Sequence, residues 1–281
     1  MEQDLYRNRD FIADFDALMA ETAARSRELT ARVRVQADVA YGPEPRARMD
    51  ILFPPNMRKG APLHMFIHGG YWRSGSKTDH HLVAAPVHAV GGVAVIVTYD
   101  LMPSTRLGQI VAQVRRAARH VLAMAPALGA DPARFTVSGH SAGAHLASYL
   151  AAYGPQESSG PEALPRLPAV RSLLMVSGIY DLSGIPSSFL KDEAQMTATE
   201  ASDWSPLTAM QLPVPSRIIT RGALETAPFH DQARAFAALL DHNGQSCTLR
   251  EEQGLNHLSI VLALADPSCG LGGILSDMTA G

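Results

Sequence analysis

Short β-branched runs alternate with longer amphipathic segments over most of this 281-residue chain, and this alternation limits the choice of fold. Strands linked by crossover helices build a parallel sheet that carries helices on both faces. We therefore expect an α/β architecture with about eight mostly parallel strands. The first two strands flank a Gly42-Pro43 turn and should form a hairpin. The expected strands are 33–41, 48–53, 63–67, 93–98, 135–138, 170–177, 217–220 and 247–250.

The chain shows no internal repeat and no sign of a second domain, so residues 1–281 are expected to form one domain. Apolar side chains between residues 4 and 30 have helical spacing, which predicts an N-terminal cap segment over 1–30. Residues 182–210 lack clear periodicity and are expected to form a lid-like excursion over the site. Gly, Pro and Ser at 153–168 predict a surface loop.

The composition argues against several classes of protein. Hydrophobic residues make up 46% of the chain and charged residues 18%, which provides material for a large core. A net charge of −3 argues against a nucleic-acid partner, and no apolar run is long enough to span a membrane. The start Met-Glu-Gln-Asp does not resemble a signal peptide, and Cys247 and Cys269 provide no disulfide framework. We expect a cytoplasmic protein with a small-molecule substrate, and a homodimer is compatible with these features.

A candidate nucleophile lies in Gly139-His140-Ser141-Ala142-Gly143, between a β-branched strand and a helix-like segment. The pattern Gly-x-Ser-x-Gly is short enough to arise by chance, but its strand–turn–helix setting gives it weight. A serine on so sharp a turn adopts a strained backbone, and the flanking glycines leave room for it. The turn exposes the hydroxyl at the carboxyl edge of the sheet. We therefore predict that Ser141 is a nucleophile.

Three histidines follow this motif far enough along the chain to act on Ser141. A serine hydroxyl needs a base to remove its proton, and that base needs an orienting carboxylate. In this strand–turn–helix arrangement the acid precedes the histidine in the chain. His230 and His242 fall at the two ends of a predicted helix, whereas His257 lies in a loop after the last strand. His257 is the predicted base.

The orienting acid has three candidates. Glu225 lies in the loop after strand 217–220, and the interval from it to His257 has room for one helix and one strand. Asp181 follows the preceding strand and is the main rival. Asp231 fits better as a first-turn helix residue that the helix dipole favours. We predict Glu225 and keep the two aspartates as alternatives.

A second glycine motif, His68-Gly69-Gly70-Tyr71-Trp72, follows strand 63–67. Glycines there let backbone N–H groups approach a reacting carbonyl closely. We predict that the N–H groups of Gly70, Tyr71 and Ala142 form an oxyanion hole and that Gly69 shapes the loop. The candidate substrate contacts are Tyr71, Trp72 and His140, and for Trp72 a role in packing the loop is an equal alternative.

Four other histidines invite a metal hypothesis. His64 and His68 are four residues apart, but on a strand this spacing does not form a metal clamp. His68 is expected to anchor its loop by hydrogen bonds. His80 and His81 lack a nearby carboxylate or thiol framework and are expected at the surface or in a pocket wall. We predict no metal site.

Two motifs together resemble those of the kynurenine formamidases (arylformamidases): His-Gly-Gly-x-Trp at 68–72 and Gly-His-Ser-Ala-Gly-Ala-His-Leu at 139–146. That group is similar to the hormone-sensitive-lipase-like esterases of the α/β-hydrolase superfamily, whose Tyr-Arg-Leu-Ala-Pro segment has a counterpart at 99–103. Segments 177–182 and 222–229 resemble the family's sixth-strand end and acid loop, and His257 takes the place of its catalytic histidine.

The resemblance implies hydrolysis of an aryl formamide or carboxylic ester through an acyl-enzyme, without a cofactor. N-formylkynurenine is the first expected substrate, and a short-chain carboxylesterase or an amide or carbamate hydrolase is the alternative. Glu225 stands where the family has Asp, and residues 182–210 depart from the family. Both departures weaken the inference that this chain shares the family's substrate. A non-catalytic ligand-binding protein on a hydrolase scaffold is a remote alternative, because such proteins typically lose the serine or histidine that this chain keeps.

Overall fold

Eight strands form one sheet in the computed structural model, which describes residues 3–155, 157 and 168–281. Most of the surface loop expected at 153–168 lies outside these residues. The strands are β1 (Arg34–Ala40), β2 (Arg48–Phe53), β3 (Ala61–Ile67), β4 (Val93–Val97), β5 (Ala130–His140), β6 (Ser172–Val176), β7 (Ser216–Gly222) and β8 (Cys247–Glu252).

The sheet is mostly parallel, as the alternation of strands and helices predicted. Its strand order is β1-β2-β4-β3-β5-β6-β7-β8. β1 pairs antiparallel with β2, which confirms the predicted hairpin, and β2 pairs antiparallel with β4. From β4 to β8 the neighbouring strands are parallel, so their carboxyl ends meet at one edge of the sheet.

The helices cover both faces of the sheet. They are α1 (Phe15–Thr30), α2 (Ala84–Ala89), α3 (Leu107–Met124), α4 (Ala142–Ser148), α5 (Lys191–Ala194), α6 (Ala198–Asp203), α7 (Ala227–His242), α8 (Ser259–Leu264) and α9 (Gly270–Ala280). The first helix begins at Phe15 and not near residue 4, where helical spacing predicted it. Residues 8–10 form a 3-10 turn instead, and residues 4–8 are held by contacts with distant parts of the chain.

Alternate residues of the buried strands face two separate cores. On β3, Met65 packs in the core that contains α3, α4 and α7, whereas Phe66 packs in the core that contains α2, α8 and α9. Both side chains are fully buried. A strand that is apolar on both faces lies inside a sheet covered on both sides, and its carboxyl end can therefore be held rigidly.

His64 occupies a fully buried position on β3 and binds side chains of the neighbouring strand. Its Nδ1 lies 2.9 Å from Thr136 Oγ1, and its Nε2 lies 2.7 Å from Ser138 Oγ. Burial lowers the pKa of His64 to about 3, so the ring is neutral near pH 7. The residue connects β3 to β5 through two hydroxyl groups.

Cys247 and Cys269 are free thiols, and burial raises the pKa of Cys247 to about 11. Among the described parts of the chain, none of the helices combines the length and apolar character that a membrane span requires.

Candidate active site

Ser141 lies on the turn between β5 and α4, at the carboxyl edge of the sheet. Its backbone has a φ of +56° and a ψ of −120°, a conformation that costs a residue with a side chain on the order of 1–3 kcal/mol. The Ser141 N–H donates to Val176 O over 2.8 Å, which ties the turn to the end of β6. The surrounding sheet thus holds the hydroxyl in place.

The two glycines of the motif make this turn sterically feasible. A Cβ atom added to Gly139 would lie 2.2 Å from Gly143 O, and one added to Gly143 would lie 2.0 Å from Ile67 O. Both separations are far below van der Waals contact, and the obstacle in each case is backbone. A residue with a side chain could fit at either position only if β3, β5 or α4 moved.

This close approach predicts a large loss of stability for Gly143→Ala, about 3 kcal/mol or more in the free energy of unfolding. A matched control is Gly273→Ala in α9, where an added Cβ meets no atom within 4 Å. The control should gain about 0.5–1 kcal/mol, because alanine favours a helix interior over glycine. Urea unfolding of both variants measures the difference, and equal stabilities would contradict the steric account.

His257 lies between β8 and α8 and faces Ser141 directly. Its Nε2 is 2.9 Å from Ser141 Oγ, within hydrogen-bond distance of the proton it would remove. His257 is 4% exposed, and its ring packs against Phe229 with the ring centres 4.4 Å apart. The structure therefore brings together the predicted nucleophile and the predicted base.

Glu225 completes a row of three side chains. Its Oε2 lies 3.2 Å from His257 Nδ1, and its side chain is fully buried. The other oxygen, Oε1, accepts hydrogen bonds from Gly222 N over 2.8 Å and from Ser177 Oγ over 2.5 Å. The carboxylate is thus fixed in orientation and aimed at the far side of the imidazole ring from Ser141.

The alternative acids and bases are occupied elsewhere. Asp181 Oδ1 accepts a hydrogen bond from Ser183 N, and Asp231 forms an exposed ion pair with Arg234. His230 donates its Nε2–H to Glu225 O over 3.0 Å, and His242 ends α7. None of these four side chains has a hydrogen bond to Ser141 or His257 in the structure.

Neither Ser177 nor His230 was predicted from the sequence to hold the acid. Ser177 follows β6 with a φ of +52° and donates to Glu225 Oε1, while His230 holds Glu225 O. Arg221 Nε donates to His230 Nδ1 over 2.7 Å, which leaves the other ring nitrogen protonated. The position of Ser177 directly after a parallel strand was the one signal that could have identified it, since strand ends converge at this edge.

The predicted oxyanion loop passes beside Ser141. Gly70 has a φ of +111° and Tyr71 a φ of +51°. Among the described residues, the N–H groups of Gly70, Tyr71 and Ala142 donate to no backbone acceptor outside the helices and strands. A Cβ on Gly69 would lie 3.0 Å from Ser141 Cβ, which shows how closely the loop approaches the nucleophile.

His68 anchors this loop from behind. Its Nδ1 lies 2.7 Å from Gly69 O, and its own carbonyl accepts the Tyr99 hydroxyl over 2.8 Å. Burial, with a further contribution from His80, lowers the pKa of His68 to about 3. His80 lies in the wall of the cavity at Ser141, whereas His81 is buried and binds Asp50.

His140 and Tyr71 lie at the site as predicted substrate contacts should, but Trp72 does not. Trp72 is fully buried, and its Nε1 donates to His145 Nδ1 over 3.2 Å, so it packs beneath the loop and not in the cavity. Its hydrophobic surface is more favourably buried against α4 than left at a wet opening. The structure therefore favours the packing role of Trp72 over a substrate contact.

His140 also supports the base. Its Nε2–H donates to His257 O over 2.9 Å, and the two rings lie 4.8 Å apart between centres. Burial, and next the neighbouring His257, hold the pKa of His140 well below its ordinary value. A neutral His140 can thus fix the backbone of His257 without competing with it for a proton.

A cavity of about 400 Å³ opens on Ser141 and His257. The turn before α1 and one face of α1 form one wall, which consists of Asn8, Phe15, Met19, Thr22 and Ala23. The excursion at 182–210, all of which is described, contributes no residue to the lining. Its apolar side chains Leu182, Ile185 and Leu190 are buried in the core that contains α3, α4 and α7.

Comparisons with known proteins identify the family. The BD-FAE family model matches residues 49–238, which include the loop at 68–72, the Ser141 turn and Glu225. The chain belongs to the BD-FAE family. Kynurenine formamidase of Danio rerio is 30% identical over 234 residues, which cover 82% of this chain and 76% of that relative. Carboxylesterase NlhH of Mycobacterium tuberculosis is 26% identical over 239 residues, which cover 78% of this chain and 72% of that protein.

Solved structures share the fold of this BD-FAE family member. A candidate thioesterase from Silicibacter sp. TM1040 has a TM-score of 0.80 at 23% identity, with both chains covered in full. A thermostable esterase from Pseudomonas putida ECU1011 has a TM-score of 0.70 at 20% identity, with 99% of this chain and 91% of that one covered. This BD-FAE family member is an enzyme of the α/β-hydrolase kind, and it belongs to the hormone-sensitive-lipase and esterase-like group.

Proposed function

We propose that this protein is a serine hydrolase that cleaves a small aryl formamide or carboxylic ester through an acyl-enzyme. The observation that carries the proposal is the row of three side chains at the sheet edge. His257 Nε2 lies 2.9 Å from Ser141 Oγ, and His257 Nδ1 lies 3.2 Å from Glu225 Oε2. A base within reach of a hydroxyl and oriented by a carboxylate is the arrangement that activates a serine.

In the first half of the proposed reaction, Ser141 Oγ attacks the carbonyl carbon while its proton passes to His257 Nε2. The carbonyl oxygen becomes negative and accepts hydrogen bonds from the N–H groups of Gly70, Tyr71 and Ala142. Each of these donors stabilises the transition state by about 3 kcal/mol. Glu225 stabilises the protonated imidazole. His257 then donates the proton to the leaving amine or alcohol, and the C–N or C–O bond breaks.

In the second half, a water molecule replaces the leaving group. His257 Nε2 takes a proton from that water, whose oxygen attacks the acyl carbon of the ester on Ser141. The second tetrahedral intermediate uses the same three N–H groups. It collapses when the proton returns to Ser141 Oγ, which releases the carboxylic acid, or formate in the case of a formamide. No cofactor enters either half.

For the substrate, N-formylkynurenine is the first specific proposal. The support is the 30% identity with a kynurenine formamidase over 82% of this chain. The cavity of about 400 Å³ has apolar side chains of α1 in one wall and Tyr71 and His140 beside the nucleophile, which suits a small aromatic leaving group. We propose that α1 acts as a cap on this cavity.

A direct kinetic comparison tests the substrate proposal. We expect a higher kcat/KM for N-formylkynurenine than for p-nitrophenyl acetate and p-nitrophenyl butyrate. A preference for either ester, with slow formamide cleavage, would instead favour a short-chain carboxylesterase, the alternative that similarity to carboxylesterase NlhH supports. If neither N-formylkynurenine nor either ester is hydrolysed, the result would favour the remote alternative, a non-catalytic ligand-binding protein on a hydrolase scaffold.

A further inference from the structure

Residues 4–8, here called the N-terminal clamp, contact both loops that flank Ser141, and Asn8 at the end of this segment also lines the cavity. Asp4 and Tyr6 are half-buried and Asn8 is buried, whereas Leu5 and Arg7 between them are exposed. This alternation turns three polar side chains toward the body of the protein. Asn8 binds Tyr71 of the oxyanion loop, whereas Asp4 binds Phe189 and Tyr6 binds Gln232 of α7. The backbone carbonyls of Tyr6 and Leu5 accept hydrogen bonds from the two loops that flank Ser141, at Tyr71 and at Thr226.

At one end the clamp holds the oxyanion loop. The Tyr71 hydroxyl donates to Tyr6 O over 2.5 Å and accepts a hydrogen bond from Asn8 Nδ2 over 3.3 Å. The Tyr71 ring also packs edge-on against Phe189, with the ring centres 5.6 Å apart. Phe189 N in turn donates to Asp4 Oδ2 over 2.5 Å, so both the hydroxyl and the ring of Tyr71 connect to the clamp.

At the other end the clamp holds the acid loop. Thr226, the residue after Glu225, donates its hydroxyl to Leu5 O over 2.6 Å. Thr226 precedes α7 in the position where a threonine side chain usually accepts a helix N–H, yet it makes no such bond. Gln232 of α7 adds a hydrogen bond from its Nε2 to the Tyr6 hydroxyl over 3.0 Å.

We infer that the N-terminal clamp positions the oxyanion loop against the acid loop and that the Tyr71 hydroxyl is its principal positioning group. The inference rests on the proposed function, because it concerns the Tyr71 N–H as an oxyanion donor. Tyr71 holds a φ of +51°, a backbone conformation that residues with side chains rarely adopt. A side chain tied at its far end restrains that backbone and so keeps the N–H aimed at the reacting oxygen.

The test is Tyr71→Phe, which removes the hydroxyl and leaves the ring. We expect kcat for p-nitrophenyl acetate to fall about 10- to 100-fold with KM within about twofold of wild type. The inhibition constant of phenylboronic acid, which forms a tetrahedral adduct with a serine, should rise in parallel. Tyr41→Phe is the matched control, because Tyr41 is also buried and its hydroxyl donates to Thr98 O and not to a group at the site.

A second variant, Thr226→Val, removes the hydrogen bond at the other end of the clamp while keeping the shape of the side chain, and it should also lower kcat. It keeps the test decisive if Tyr71→Phe fails to fold. The inference is overturned if both clamp variants keep kcat within twofold of wild type, or if Tyr41→Phe loses as much as Tyr71→Phe. Wild-type protein that hydrolyses no ester or formamide would overturn the proposed function as well. An active wild type with unaffected clamp variants overturns the clamp alone.

Discussion

Ser141→Ala should lower kcat for p-nitrophenyl acetate by about 10⁴- to 10⁶-fold, because the variant lacks the hydroxyl that lies 2.9 Å from His257 Nε2. The fold should survive, since alanine can hold the left-handed backbone of the turn no less readily than serine. Activity measurements alongside thermal unfolding separate the two effects.

The matched control is Ser148→Ala at the end of α4. Its hydroxyl is also buried, and it donates to His145 O and not to a group at the site. This control should keep kcat within about twofold of wild type. If Ser141→Ala retains a tenth of wild-type activity, another nucleophile carries the reaction.

The acid assignment predicts the second large effect. Glu225→Gln should lower kcat by about 10³- to 10⁴-fold, because an amide facing His257 Nδ1 neither stabilises the imidazolium nor fixes the tautomer. Asp181→Asn is the matched control, since that carboxylate accepts a hydrogen bond from Ser183 N and has none to His257. It should stay within about fivefold of wild type. The opposite ranking of the two variants would transfer the acid role to Asp181.

Much of the fold followed from local sequence pattern. The strand β3 is largely apolar and is followed by two glycines after His68, and such features can be recognised from residues close together in the chain. Chain order then limited the candidates at the carboxyl edge, where parallel strands end. Ser141, Glu225 and His257 were therefore accessible to prediction as a set, and the structure places Ser141 and Glu225 each within hydrogen-bond distance of His257.

The remaining features depend on contacts between distant parts of the chain. Trp72 has the chemistry of a substrate contact, and only the position of His145 on α4 shows that its surface is buried. Residues 4–8 continue a helical pattern, yet contacts with Tyr71 and Thr226 hold them in another conformation. Residues 182–210 similarly lack local periodicity because their apolar side chains fill a core that other elements build.

The central claim is that Ser141 is an activated nucleophile, and covalent labelling tests it most directly. Wild-type protein treated with a fluorophosphonate at neutral pH should gain one adduct per chain, and mass spectrometry of its peptides should place that adduct on Ser141. Ser141→Ala should gain none, whereas Ser148→Ala should label like wild type. Absence of labelling in the wild type, or undiminished labelling of Ser141→Ala, would contradict the claim.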